Sequence, residues 1–184
     1  MTMRTTFTLN DLKANRPLLE EAILKSLSLQ APTLEIRTND ELLCSAYIIE
    51  VKKTSISSWA EAIVILANLE LHWLEEWGRE LKDDDLSNII NLWLLPEFET
   101  YKPRMLDASQ IKEIINQFRK GIENIRPSHM EVLVDGKHSD SDFRSVLPGE
   151  KIVSGLTLRH EWNDVELVYE TASCYGLYSW GTGA

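Results

Sequence analysis

The sequence is short of the residues that announce a known chemistry. Its 184 residues include two cysteines, Cys44 and Cys174. Neither belongs to a Cys-x-x-Cys pair, so a zinc knuckle or dithiol motif has no foothold. His72, His129, His138 and His160 contain no pair at His-x-x-x-His spacing, which removes a zincin-type site on pattern. A Gly-x-Ser-x-Gly elbow is absent, as is any glycine-rich phosphate loop. The longest apolar stretch, residues 62–67, is far too short to span a bilayer, and residues 1–7 lack the apolar run of a signal peptide. These absences predict a cytoplasmic protein without a cofactor, without a membrane segment and without an enzymatic motif.

Positive charge is the other shortage. Nineteen Lys and Arg stand against 29 Asp and Glu, a net charge of −10. Nucleic-acid binding rests largely on neutralising phosphates, and an anionic membrane surface also attracts basic residues, so neither is an expected partner. The acid is unevenly spread. Residues 54–100 carry 10 acidic and 2 basic side chains, and 129–184 carry 9 and 4. Residues 1–53 are balanced at 7 and 7, and 101–128 carry 3 acidic against 6 basic. Such a field solubilises a protein, and it also steers a basic partner toward it. Glu75, Glu76, Glu80, Asp83, Asp84 and Asp85 are the expected docking residues of the central block.

What is present reads as one ordinary globular domain over residues 1–184. Hydrophobic residues make up 43% and charged residues 26%, so a core can form without disulfides or metals. A first helix is expected within residues 8–29, with Pro17 at its start and Leu18, Leu19, Ala22, Ile23 and Leu27 on one face. Residues 34–38 alternate, Asn39-Asp40 offers a turn, and residues 42–53 run back as a long strand. Ser58 followed by Glu61 is a capping-box signature for a helix over 58–81, with a strand over 69–74 as the alternative. Trp59, Ala62, Ile63, Leu66, Leu69, Trp73 and Trp77 form its stripe, while Val64, Ile65 and Leu71 lie off it. Gly78 and residues 83–85 mark its end. Residues 86–95 suit either helix or strand, closed by Pro96.

Asp107 or Ser109 opens a further amphipathic helix with Ile111, Ile114, Ile115, Phe118 and Ile122 on its face, weakened at Gly121 and stopped by Pro127. From His129 the period changes to two. Strands are expected over 130–134, 156–162, 165–171 and 174–180, with turns at Asp135-Gly136 and Asn163-Asp164. The predicted class is α+β, with amphipathic helices packed against a mostly antiparallel sheet that ends in a C-terminal β-meander.

Three places invite a functional reading. The first is the polar loop 135–142, where Asp135, Asp140 and Asp142 with Glu131 or His138 offer oxygen and nitrogen ligands to a metal, although the spacing is not that of an EF-hand. Asp135-x-Lys137 is similar to the acidic-x-Lys pair of metal-dependent nucleases, but that chemistry needs a second carboxylate on a neighbouring strand. The second is His160, which shares a strand face with Leu158 and Trp162 and reads as a core histidine. The third is the aromatic strand Tyr175 to Trp180. A strand burying one face leaves Tyr175, or else Tyr178 and Trp180, free to anchor a partner. The expectation is a small acidic, non-enzymatic module that docks a basic protein, such as an immunity protein neutralising a nuclease toxin. The alternatives are a metal-dependent hydrolase centred on loop 135–142 and a self-associating structural protein.

Overall fold

Pro17 has no N–H to donate, so it suits the first turn of a helix, and helix α1 (Arg16–Ser28) opens on it. The Leu18 and Leu19 amides donate to the Asn15 carbonyl. Leu19, Ala22 and Ile23 are buried, as their spacing predicts. The computed structural model describes residues 14–28, 33–39, 44–56, 58–76, 89–124, 129–142 and 151–182. These fall into two compact units, one drawn from Met1–Leu29 and Ile56–Pro103, the other from Gln30–Ser55 and Arg104–Ala184. The chain passes from one to the other more than once, so no single linker separates them in sequence.

In the first unit, helix α2 (Trp59–Glu76) begins where Ser58 Oγ accepts the Glu61 amide at 3.2 Å. The helix runs through residues 69–74, which disposes of the strand alternative. Residues 60–68 are buried on all sides, as Val64 and Ile65 off the stripe foreshadow. Two polar ties join α1 to α2. Asn68 Nδ2 donates to Ser26 Oγ at 2.6 Å, and Ser26 Oγ donates to the Ile23 carbonyl at 2.7 Å. Lys25 Nζ donates to the carboxylate of Glu61, which is buried, while Lys25 keeps 33% of its side chain exposed. Lys25→Met should therefore destabilise the fold by about 2 kcal/mol, below the roughly 3–5 kcal/mol of a fully buried pair because water screens the ammonium. Chemical denaturation of this variant beside Lys25→Met/Glu61→Gln checks it, since the second change should restore part of the loss.

Residues 89–94 form a π-helical turn that runs into helix α3 (Leu95–Thr100). Pro96 thus sits in the first turn of α3 instead of closing the element. Its missing N–H and ring would disrupt a regular α-helical ladder, and the wider turn before it absorbs the break. Ile90, Leu94 and Phe98, four residues apart, are buried.

Among the described residues the second unit holds an eight-stranded sheet: β1 (Leu34–Asn39), β2 (Cys44–Lys52), β3 (Arg104–Asp107), β4 (His129–Val134), β5 (Lys137–His138), β6 (Ile152–His160), β7 (Asp164–Thr171) and β8 (Cys174–Thr182). Their order is β3-β6-β7-β8-β2-β1-β4-β5, and every neighbouring pair is antiparallel. The expected meander is β6-β7-β8. Strand β3 is unforeseen, being four residues between Pro103 and a helix cap. Both end strands are very short, and Pro103 precedes β3, which blunts the edges against stray pairing.

Helix α4 (Ala108–Asn124) begins with a reciprocal cap. Asp107 Oδ1 accepts the Gln110 amide at 2.9 Å, and Gln110 Oε1 accepts the Asp107 amide at 3.0 Å. Its Ile111 and Ile115 join Ile36, Ala46, Ile48, Leu106, Val132, Ile152, Leu167, Tyr169 and Tyr178 in one core. The helix continues through Gly121, which does not end it. The class is α+β, as predicted.

Candidate functional site

One row of the sheet decides what its core can hold. Register aligns Gly155 on β6 with Tyr169 on β7, Gly176 on β8 and Glu50 on β2. Glu50 shares the strand face of Ile48 and Ala46, so an acidic side chain points toward the apolar core. Tyr169 lies flat in the space that Gly176 leaves, and its hydroxyl donates to Glu50 Oε1 at 2.9 Å. Burial raises the Glu50 carboxyl above its ordinary range, against the opposing pull of the Tyr169 hydrogen bond and of Lys151. The Tyr169 hydroxyl is pushed well up by its own burial and by the neighbouring carboxylate.

A carboxyl whose pKa is raised on folding lends stability below its unfolded value near 4.5, and that contribution is lost as pH rises through the folded value. Glu50→Gln keeps an acceptor for Tyr169 and removes the titration. Its stability relative to the parent should therefore rise as pH increases from 4 to 8, measured by urea denaturation at each pH. A falling difference would show that the hydrogen bond outweighs burial.

The aromatic strand behaves otherwise than expected. Tyr178 is 3% exposed within the sheet core and Tyr175 is 9% exposed, so both strand faces are covered at these positions. Lys53 Nζ lies 5.1 Å from the Tyr175 ring centre. Neither tyrosine presents a ring to a partner. Trp180 is half-buried and packs against the core. The reading of an uncovered β8 face is corrected on this point. Glu75 and Glu76 belong to the last turn of α2, but their side chains lie outside the described residues, as do Glu80, Asp83, Asp84 and Asp85 in full.

Loop 135–142 is partly a hairpin. Asp135 and Gly136 adopt φ of 48° and 71°, the paired positive angles of a two-residue turn between β4 and β5. His138 Nδ1 lies 3.3 Å from Glu131 Oε1 across that hairpin. Asp140 and Asp142 are exposed. Among the described residues no three His, Cys, Asp or Glu side chains form a metal-binding group. Among them, too, no helix is long and apolar enough to cross a membrane.

The β6–β7 hairpin is where the structure departs most usefully from expectation. A register shift between Thr157 and Arg159 separates His160 from the face of Leu158, and His160, the last residue of β6, is exposed and not a core residue. Trp162, at the tip, is 80% exposed. The tip is tied down by the Glu161 amide donating to the Asp164 carbonyl at 2.7 Å and by Arg159 Nη1 on Asp164 Oδ2 at 2.6 Å. Arg159 Nη2 also lies 3.9 Å from Glu166 Oε2. The turn falls at residues 161–163, between His160 and Asp164, and not at the expected Asn163-Asp164, so Trp162 stands in it, where strand periodicity no longer governs. No protein-family profile, curated protein or solved structure matches the chain.

Proposed function

We propose that the protein is an acidic binding module that docks a basic protein, in the manner of an immunity protein that neutralises a toxin such as a nuclease. The observation that carries this reading is the charge distribution, with 10 acidic and 2 basic side chains over residues 54–100 within a chain of net charge −10. A nuclease must hold phosphates, so its working surface is basic, and an acidic surface both attracts and blocks it.

The test is to purify the protein from its native cell, identify the co-purifying protein by mass spectrometry, and measure association of the purified pair between 20 and ~300 mM salt. A basic partner whose on-rate falls steeply with salt supports the reading. A neutral or acidic partner, or a salt-independent on-rate, overturns it.

A further inference from the structure

Trp162 is the most exposed of the large apolar side chains among the described residues. The turn does not need it. Its closure comes from the Glu161 to Asp164 backbone hydrogen bond and the Arg159 bridge to Asp164, neither of which uses the indole. Turn positions ordinarily take Gly, Asn, Asp or Ser, for which backbone conformation supplies the reason, and no such reason favours tryptophan. The tip is held by a backbone hydrogen bond and an ion pair that would remain in place when the indole docks.

The surroundings state what the indole would meet. Over residues 159–166 the formal charge is −2, with Asp164 bridged to Arg159, Glu166 buried near the same guanidinium and Glu161 exposed beside the indole. Val165 and Trp180 are paired across β7 and β8 next to the turn, where both pack against the core and keep part of their surface exposed. Tryptophan is the side chain most enriched at the energetic centres of interfaces, and its ring face attracts Arg and Lys.

We infer that the β6–β7 tip is an anchor for the basic partner, with Trp162 entering an apolar pocket rimmed by Arg or Lys on that protein. The inference rests on the binding reading above and adds the site and the chemistry of its counterpart. The alternative occupants, a second copy of this chain or an uncharged protein, are outcomes of the test.

The test places the photo-crosslinker p-benzoylphenylalanine at position 162 of the full chain, and at the exposed controls Val153 and Leu24, in the native cell. The adduct is identified by mass spectrometry, and the captured protein is then purified as the binding probe. A basic protein captured at 162 and not at the controls is expected. Trp162→Ala should weaken its binding by about 30-fold or more, mainly through faster dissociation, while Trp162→Phe retains part of the affinity. The thermal midpoint of Trp162→Ala should stay at the parent value, which separates lost contact from lost fold.

If a basic protein co-purifies but is captured only at the controls, or binds Trp162→Ala as tightly as the parent, the tip is not the anchor and the binding reading survives. If position 162 captures a second copy, and Trp162→Ala abolishes a dimer in ultracentrifugation, the proposed occupant is wrong. If no basic protein is found by either route, both the reading and the anchor fall.

Discussion

Gly176→Ala should cost about 3–5 kcal/mol of stability, a loss that approaches the whole stability of many domains. A Cβ at this position would lie 2.2 Å from Tyr169 Cζ and 2.4 Å from its hydroxyl oxygen. The ring has nowhere to go, because Tyr169 is fully buried and tethered to Glu50. Pushing it aside breaks that hydrogen bond and leaves the Glu50 carboxyl without its hydroxyl donor, which adds to the overpacking. The double variant Gly176→Ala/Tyr169→Leu should recover part of the loss, since the shorter side chain vacates the space. Urea denaturation of the two single variants and the double variant gives the coupling directly. Additive losses would show that the clash lies elsewhere.

Gly155 repeats the argument two strands along the same row, on the other side of Tyr169. A Cβ there would meet Ile111 Cδ1 at 2.3 Å and the Val168 carbonyl oxygen at 2.7 Å. The first contact can yield by rotation, and the second is backbone on the neighbouring strand. Two glycines on one face therefore let α4 approach β6 and let Tyr169 lie across β8. This is how the sheet accommodates a helix and a buried tyrosine–glutamate pair in one layer.

Much of this fold was legible because local chemistry announces it. Ser58 and Asp107 cap the helices that their spacing promised, and Asp135-Gly136 makes the turn that its positive angles require. The meander followed from period-two segments joined by tight turns. What escaped notice depends on neighbours distant in sequence. Strand β3 has only four residues, and it pairs with β6 some fifty positions later. The π-helical turn before Pro96 is a compromise between a proline and a buried stripe, and neither alone predicts it. His160 was misplaced because one bulge shifts every later side chain in the strand. Glu50 was visible, though: an acidic residue on the same face as Ile48 and Ala46 is out of place unless something buried receives it. Gly155 and Gly176 carried a similar signal, since glycine within a strand marks close approach.

The remaining large effect concerns the acidic block. Reversing Glu75, Glu76 and Glu80 to Lys moves the net charge from −10 to about −4 and replaces local attraction for a basic partner with repulsion. Steered association responds to the field over distances near the Debye length, about 10 Å at 0.1 M salt, so on-rate should suffer more than off-rate. The variant should associate about 10–100-fold more slowly than the parent at ~20 mM salt, with the two converging as salt rises. Stopped-flow association with the basic partner measures this. The single reversal Glu113→Lys, exposed on α4 in the stretch where basic residues predominate, is matched in charge to the single reversal Glu75→Lys and should change the rate less than it does. An unchanged on-rate for the triple variant at low salt removes the block from the docking face. If Trp162→Ala then still accelerates dissociation, the hairpin tip alone carries the contact. If both effects appear, the acidic block governs how fast the partner arrives and the indole governs how long it stays.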